Sequence, residues 1–213
     1  MTRLSVFIAT SIDGYIASVD GSLDWLEEAT RPDEDYGYDA FLASVDALAM
    51  GRGTYNHIAH LDPLPFGERP VFVFTHQAPE PRAGVTFWRL TPREALGRWT
   101  DLGLERVYVD GGQVISAFLA EDLIDEMLLT TAPVLLGAGR PLFHHGGRSA
   151  GMRLDDVRSW PSGFVMRTYR RAQAPPSAPT PRSTPVSTAG PTPASIAGPT
   201  PESTATPSVA AGS

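Results

Sequence analysis

Short apolar runs rich in β-branched and aromatic residues recur through the first 171 residues, and segments with helical spacing separate most of them. Runs of this length and composition predict buried strands. Because strands alternate with helices, we predict βαβ units, which means an α/β fold built on a mostly parallel sheet flanked by helices. The predicted strands span residues 4–10, 46–50, 70–75, 85–90, 106–110 and 125–132.

Two further strands are predicted at residues 152–160 and 163–170, on either side of the turn Pro161-Ser162-Gly163. A turn between two such runs is typical of a hairpin, so we predict that a C-terminal antiparallel pair completes the sheet. The clearest helix signal follows the fourth strand. Thr91 is predicted as the N-cap and Pro92 as the first helical residue, and Glu94 completes a capping box with Thr91. Gly103 is predicted to end the helix. Other helices are predicted over residues 38–44 and 114–120.

The composition of the chain changes sharply near residue 172. From Ala172 to Ser213 the residues are almost all Pro, Ala, Thr, Ser and Gly, with side-chain charge only at Arg182 and Glu202. Such a segment buries too little apolar surface to offset the entropy of ordering. We therefore predict a folded domain over residues 1–171 and a disordered tail over residues 172–213 without a catalytic role.

Several kinds of chemistry are excluded by composition. The chain has no cysteine, which removes disulfides, thiolate nucleophiles and Cys-based metal sites. It also has no lysine, because all 17 basic residues are arginine, so Schiff-base chemistry and a Walker-type phosphate lysine are excluded. The net charge of -7 argues against nucleic acid as a partner.

The same sequence predicts a cytoplasmic protein that binds no membrane. The apolar run after Met1 is too short for a signal peptide, and no window reaches the ~18 apolar residues of a membrane span. His57 with His60, and His144 with His145, are spaced closely, but neither pair has an evident third ligand, so no metal site is predicted.

Three predicted strands end in residues suited to a ligand site. These ends are Gly51-Arg52, Thr75-His76 and Gly111-Gly112. In parallel sheets, ligands bind where the carboxyl ends of strands meet the N-termini of helices. Glycine lets the backbone approach a ligand closely, and arginine presents a planar fork that suits phosphate. Each signal also fits an ordinary strand–helix turn, so the prediction rests on their coincidence.

The motifs in this order resemble the dihydrofolate reductase-like superfamily. The greatest similarity is to the reductase domain of the bifunctional riboflavin-biosynthesis deaminase-reductase and to small stand-alone relatives of that domain. The resemblance covers residues 3–171. Its motifs are Ser11-Ile12-Asp13-Gly14-Tyr15-Ile16-Ala17, Gly51-Arg52-Gly53-Thr54-Tyr55, Val109-Asp110-Gly111-Gly112, Ile124-Asp125-Glu126 and the segment Ala132 to Phe143.

This resemblance implies a three-layer fold and an NADPH site at the strand ends. It implies that Arg52 meets the 2′-phosphate and that Thr54 hydrogen-bonds the pyrophosphate. It also implies hydride transfer from NADPH to a small polar heterocycle or sugar phosphate, with Asp13 or a water that it holds delivering the proton. The remaining implied cofactor contacts are Ala9 and Ile16 at the nicotinamide, Gly51, Thr75 and His76 at the adenosine side, and Gly111, Gly112, Gln113 and Val114 at the pyrophosphate.

The sequence departs from the family pattern in two places. Gly53 stands where the family often has a lysine, which weakens the expected preference for NADPH. Asp35 and Asp39 lie near the segment that carries the pterin-binding carboxylate of dihydrofolate reductase, but neither is in register, which argues against folate. The deaminase half of the riboflavin enzyme is also absent from this chain.

Three alternatives stay open beside a reductase resembling 5-amino-6-(5-phosphoribosylamino)uracil reductase. The chain could be a true dihydrofolate reductase, a nucleotide-binding module without catalysis, or a scaffold that acts through its Pro/Thr-rich tail. The expected partner is a small-molecule substrate, and the resemblance implies a homodimer formed through the sheet edge.

Overall fold

The computed structural model describes residues 1–77, 80–143 and 151–172. Nearly all of the predicted tail, from residue 173 onward, and His144 and His145 lie outside the described residues. The strands are β1 (Arg3–Thr10), β2 (Tyr15–Ala17), β3 (Ala47–Gly51), β4 (Val71–Phe74), β5 (Val85–Trp88), β6 (Arg106–Asp110), β7 (Glu126–Thr131), β8 (Arg140–Pro141), β9 (Met152–Ser159) and β10 (Val165–Arg171). The helices are α1 (Asp24–Ala29), α2 (Tyr38–Ala43), α3 (Arg52–Ile58), α4 (Pro92–Asp101) and α5 (Gly112–Ala120).

Eight strands form one twisted layer in the order β5-β4-β3-β6-β1-β7-β10-β9. The first six run parallel, and β10 pairs antiparallel with both β7 and β9. The predicted mixed, mostly parallel sheet with a C-terminal antiparallel pair is therefore confirmed. Parallel neighbours require crossover connections, and helices such as α5 between β6 and β7 supply them.

The chain connections reverse direction between β1 and β6. From β1 the chain passes β6 and enters β3 on one side, whereas from β6 it passes through α5 and enters β7 on the other side. Pairing of β1 with β6 ends at Ser5 and Tyr108, although β1 continues to Thr10 alongside β7. This is a topological switch point, where open α/β sheets form a crevice at the carboxyl ends of the strands.

Alternating side chains of the strands supply two cores, one on each face of the sheet. On one face Leu4 and Val6 pack with Trp99 of α4 and Phe118 of α5, whose rings stack at 5.7 Å. On the other face Tyr108 packs with Phe41 of α2 and with strand residues of β3 and β4. Because both faces are covered, the parallel strands read as continuous apolar runs in the sequence.

Two short elements differ from the sequence prediction. Residues 24–29, for which no helix was predicted, form α1, which buries Trp25 against Ala132 and Phe164. Arg140–Pro141, for which no strand was predicted, forms β8 and pairs with β2. Both elements depend on partners more than 100 residues away, which local patterning cannot reveal.

Helix boundaries follow the prediction closely. The α4 capping box is present: the Glu94 N–H donates to Thr91 Oγ1 at 3.3 Å, and the Thr91 N–H donates to Glu94 Oε2 at 2.8 Å. Gly103 ends this helix with φ of 74°. Helix α3 begins at Arg52 rather than at Thr54, and α5 begins at Gly112 rather than at Val114.

Candidate functional site

A cleft of about 650 Å³ lies at the carboxyl edge of β3, β4 and β5. Helices α3, α4 and α5 begin at this edge, because each follows one of the parallel strands. We call it the carboxyl-edge cleft. Its walls are Gly51, Arg52, Gly53, Phe74, Thr75, His76, Gln77, Trp88, Arg89, Leu90, Thr91, Pro92, Glu94, Gln113, Val114, Ala117 and Phe118.

Six of the residues predicted to contact a cofactor line this cleft together. They come from three strand ends that are widely separated in sequence, and the sheet order places β3 between β4 and β6. Parallel strands put their carboxyl ends on one edge, so this convergence follows from the topology. The six residues are Gly51, Arg52, Thr75, His76, Gln113 and Val114.

Arg52 is held by its neighbours but keeps one donor unpaired. Its Nε donates to Asn56 Oδ1 at 2.9 Å, and its guanidinium carbon lies 5.8 Å from the Tyr55 ring centre and 5.9 Å from that of Phe87. Its Nη1 is buried and has no hydrogen-bond partner among the residues that the structure describes. Arg52 also lines the cleft, so its positive charge would attract an anionic ligand there.

Thr54 and Gly111 meet behind the cleft. A Cβ added at Gly111 would lie 2.4 Å from Thr54 Oγ1, and the φ of Gly111 is 86°. Only glycine combines this backbone conformation with so close a contact. The two glycine-marked connections, from β3 to α3 and from β6 to α5, are therefore packed against each other.

The residues predicted for the nicotinamide end lie outside the walls of the cleft. Ile16 of β2 covers Gly112, because a Cβ added at Gly112 would lie 3.0 Å from Ile16 Cδ1 and 3.2 Å from the Pro141 carbonyl oxygen. Ala9 lies on β1 in register with Thr130 of β7. Thr130 is 4% exposed, and its hydroxyl has no hydrogen-bond partner in the described part of the chain.

Asp13 is bound to the loops around it. Its carboxylate accepts hydrogen bonds from the Ser11 hydroxyl at 2.6 Å and from the N–H groups of Leu136 at 3.2 Å and Gly137 at 2.7 Å. The Ser11 bond is the largest cause that lowers the pKa of Asp13, and the two backbone donors lower it further. Asp13 is therefore a charged hydrogen-bond acceptor at neutral pH.

Asp110 is a second carboxylate at this edge, and the sequence analysis did not assign it a role. It is the last residue of β6, at the switch point, and its Oδ1 accepts a hydrogen bond from the Gly111 N–H at 2.8 Å. Burial raises the pKa of Asp110 to about 6, against the lowering effect of the Gly111 and Tyr108 hydrogen bonds. An aspartate that ends a central apolar strand just before two glycines is the signal that could have identified it.

The phenols of Tyr38 and Tyr108 lie close to Asp110. Burial is the largest cause that raises the pKa of both phenols, and the charge of Asp110 raises them further, to about 12 for Tyr38. Tyr108 Oη donates to the Phe7 carbonyl at 2.8 Å, which bridges β6 to β1 beyond the last paired residues. The Tyr38 ring packs edge-on to Phe7 at 5.5 Å. This face of the switch point thus carries an acid and two phenols.

The connection from β5 to α4 forms a further wall of the carboxyl-edge cleft, and the sequence did not predict a role for it in the site. Trp88, Arg89, Leu90, Thr91 and Glu94 face the cleft. The capping box identified the helix start, but only the sheet order shows that this start lies beside Arg52. Hydrogen bonds from the N–H and hydroxyl of Thr91 hold the pKa of Glu94 below its usual range.

Over residues 1–77, 80–143 and 151–172, no three His, Asp or Glu side chains are grouped so as to hold a metal ion. Across those same ranges, every helix is too short or too polar to cross a membrane.

Comparison with known proteins adds family information to this geometry. The sequence profile of the RibD C-terminal domain matches residues 62–166. An uncharacterized protein of Bacillus subtilis (strain 168), YwjB, is 35% identical over 174 residues, which are 80% of this chain and 99% of that protein.

Solved structures are similar over the same region. A Shewanella sp. PV-4 protein provisionally assigned to riboflavin biosynthesis is 36% identical, with a TM-score of 0.72 over 81% of this chain and 100% of that one. The diaminohydroxyphosphoribosylaminopyrimidine deaminase/5-amino-6-(5-phosphoribosylamino)uracil reductase of Thermotoga maritima is 16% identical, with a TM-score of 0.62 over 80% of this chain and 57% of that one. The second likeness concerns the fold alone, which is the dihydrofolate reductase-like fold that the motifs predicted.

Proposed function

Because this chain belongs to the RibD C-terminal domain family, we propose that it is an NADPH-dependent reductase. In this proposal it transfers hydride to a small polar heterocycle or sugar phosphate, in a reaction similar to that of 5-amino-6-(5-phosphoribosylamino)uracil reductase. The family, with its riboflavin-type reductase fold, supports oxidoreductase chemistry. The cytoplasmic location expected from the sequence is part of the same proposal.

The observation that carries the proposal is the convergence of Arg52 with Thr75 and Gln113 on the walls of one cleft. A fork of N–H groups suits phosphate, and the 2′-phosphate is what distinguishes NADPH from NADH. The aromatic rings of Tyr55 and Phe87 already hold the guanidinium from one side, so little side-chain entropy would be lost on binding.

The remaining walls fit the other parts of the cofactor. Helix α5 has nine residues, and its first turn, with Gln113 and Val114, faces the cleft, so its free N–H groups and dipole would stabilise a pyrophosphate. Thr75 and His76 would border the adenosine. NADPH, when bound, would supply the hydride.

Hydride transfer must be accompanied by a proton, and two carboxyl groups lie at this edge of the sheet that could donate it. Asp13, or a water that it holds, is the donor that the family resemblance implied, but its lowered pKa keeps the carboxylate ionised and argues against that role. Asp110, with its pKa raised to about 6, holds a proton in a useful fraction of molecules near neutral pH. We therefore place the acid at Asp110, and we place the reacting ring of the substrate in the crevice between β1 and β6.

The substrate side of this crevice is polar. It carries the carboxyl of Asp110 and, close to it, the phenol of Tyr38. These groups suit a heterocycle with adjacent N–H and carbonyl functions. The absence of a pterin-type carboxylate in register on α2 makes a true dihydrofolate reductase the second candidate rather than the first.

An oxidation assay tests the proposal. NADPH loss at 340 nm is followed with the full chain against aminopyrimidine ribosyl phosphates, dihydropterins, quinones and nitro compounds. We expect turnover with at least one heterocyclic acceptor, and we expect Asp110→Asn to lower it by about a hundredfold. NADPH binding without turnover on any acceptor would support a non-catalytic binding module. Loss of turnover on removing residues 172–213 would support a scaffold that acts through the tail.

We also propose a homodimer formed through the sheet edge. Strand β9 ends the sheet, seven of its eight residues are exposed, and Leu154 and Val157 are 50% and 52% exposed. An open strand edge with apolar side chains is readily covered by a second copy, because a two-fold axis pairs the strand with itself.

A further inference from the structure

Two loops leave the carboxyl edge of the sheet side by side. Strands β1 and β7 are parallel neighbours over six residue pairs, so the segments that follow them, residues 11–17 and 134–142, start close together. Both segments lie beside the N-terminus of α5. We call their joined region the loop clasp.

Asp13 fastens the clasp from the β1 side. Its carboxylate receives the N–H groups of Leu136 and Gly137 from the β7 side and the hydroxyl of Ser11 from its own side. Ser11 Oγ in turn accepts the Tyr15 N–H at 3.0 Å, which sets the start of β2. One carboxylate therefore connects both loops and β2.

Backbone contacts form a second fastening. The Ile12 N–H donates to the Val134 carbonyl at 2.8 Å, and the Leu142 N–H donates to the Gly14 carbonyl at 3.0 Å. Strand β2 pairs with β8, and the fit is tight: a Cβ added at Gly139 would lie 2.4 Å from the Ala17 carbonyl oxygen. Asp13 and Gly139 thus fasten the same clasp at different points.

The clasp places two groups directly over the start of α5. Ile16, from β2, and the Pro141 carbonyl, from β8, are the nearest neighbours of a Cβ added at Gly112. Each comes from a different loop, so their joint position depends on the fastening between the loops. Gly112 begins the helix whose next residues face the carboxyl-edge cleft.

We propose that Asp13 is a positioning residue: by closing the loop clasp, it holds Ile16 and the Pro141 carbonyl over Gly112 and so forms one wall of the reduced-nicotinamide end of the site. The fastening itself is independent of the cofactor. The role of the wall rests on the proposed function. Asp13 acts through the loops and donates no proton to the substrate.

Hydrogen exchange of the full chain without cofactor tests the fastening. Asp13→Ala removes the carboxylate, and Gly139→Ala forces β2 and β8 apart while leaving Asp13 intact. We expect faster amide exchange in residues 11–17 and 134–142 in both variants. Asp156→Asn and Gly97→Ala are matched controls, because Asp156 lies on exposed β9 and a Cβ at Gly97 meets nothing within 4 Å. Unchanged exchange in Asp13→Ala would overturn the proposal.

Cofactor titration and pH profiles test the positioning role. We expect both clasp variants to bind NADPH about tenfold more weakly, with the same pH dependence of kcat as the unaltered protein. The NADPH affinity of Asp13→Asn, which keeps one acceptor oxygen, should lie between that of Asp13→Ala and that of the unaltered protein. The proposal would be overturned if Asp13→Asn lowered kcat and changed its pH profile while Gly139→Ala left kcat and its pH profile unchanged. That result would make Asp13 a proton donor. If the unaltered protein binds no NADPH, the proposed function fails, whereas the exchange experiment still decides whether the clasp exists.

Discussion

Two aspartates at the carboxyl edge of the sheet have opposite electrostatic environments. Asp13 accepts three hydrogen bonds and has a lowered pKa, whereas Asp110 is half-buried at the end of a central strand and has a raised pKa. Hydrogen bonds to the charged form favour ionisation, and desolvation opposes it. This contrast is the physical reason for assigning the first to loop positioning and the second to proton transfer.

The raised pKa of Asp110 predicts a pH-dependent stability. The folded state holds this proton up to about pH 6, whereas the unfolded chain releases it near pH 3.8, the usual pKa of an aspartate. Between these values the folded state binds more protons, so the free energy of unfolding falls as pH rises, by about 3 kcal/mol in total. Asp110→Asn is uncharged like the protonated acid, so the free energy of unfolding of this variant should not fall in this way as the pH rises.

Urea unfolding at pH 4.5 and pH 8 measures the effect. We expect Asp110→Asn to be close to the unaltered protein at the lower pH and more stable than it at the higher pH. An equal difference between the two proteins at both pH values would contradict a raised pKa for Asp110.

Sequence reasoning singled out Arg52 because an arginine follows a strand end there, and the structure places this residue on the wall of the carboxyl-edge cleft. It did not single out Asp110, because the raised pKa of this carboxyl comes from burial, which only the folded structure reveals. The resemblance also implied that Ile16 and Ala9 line a nicotinamide pocket; both lie outside the walls of the carboxyl-edge cleft, and their contact with a cofactor stays a prediction.

Among the elements, the connection from β6 to α5 requires glycine at position 111. Gly111→Ala would place a Cβ 2.4 Å from Thr54 Oγ1 at a φ of 86°. We expect a loss of roughly 2–4 kcal/mol in the free energy of unfolding and a marked loss of NADPH affinity. Denaturant unfolding and a cofactor titration measure these two effects.

Gly53→Ala is the matched control for this connection. A Cβ at Gly53 meets nothing within 4 Å, and the residue lies in α3. We expect a gain of about 0.5–1 kcal/mol, because alanine loses less backbone entropy in a helix. Equal effects of the two substitutions would contradict the close packing of Gly111 on Thr54.

Elements with strong local signals were predictable, and elements with distant partners were not. The capping box at Thr91 and Glu94 fixed the start of α4. In contrast, β2 has three residues and β8 has two, and their pairing joins segments more than 120 residues apart. Helix α1 is stabilised by burying Trp25 against residues that follow β7 and precede β10.

For the whole molecule, the exposed edge strand β9 predicts self-association. Sedimentation velocity should show a dimer, and Val157→Glu on β9 should shift it to monomer, because a charge would be buried at the pairing edge. Leu102→Glu is the control, since Leu102 is 62% exposed and lies outside β9. A monomer at all concentrations for the unaltered protein would contradict this proposal.

The order of the parallel strands could be predicted only in part. Alternating strands and helices indicated a parallel sheet, but the order in which β6 lies between β3 and β1 is set by long-range pairing. That order creates the switch point and brings Arg52, Thr75 and Gln113 to one cleft. The function proposed for the chain depends on this convergence.

Calorimetric titration of the full chain with NADPH and with NADH is the most direct test of the proposed NADPH site. We expect saturable binding of NADPH, weaker binding of NADH, and a loss of about tenfold to a hundredfold in NADPH affinity for Arg52→Ala with little change for NADH. Arg153→Ala removes an equal charge from a side chain that is 65% exposed on β9, and it should change neither affinity. No heat with either coenzyme, or an Arg52→Ala variant that still prefers NADPH as the unaltered protein does, would contradict the account.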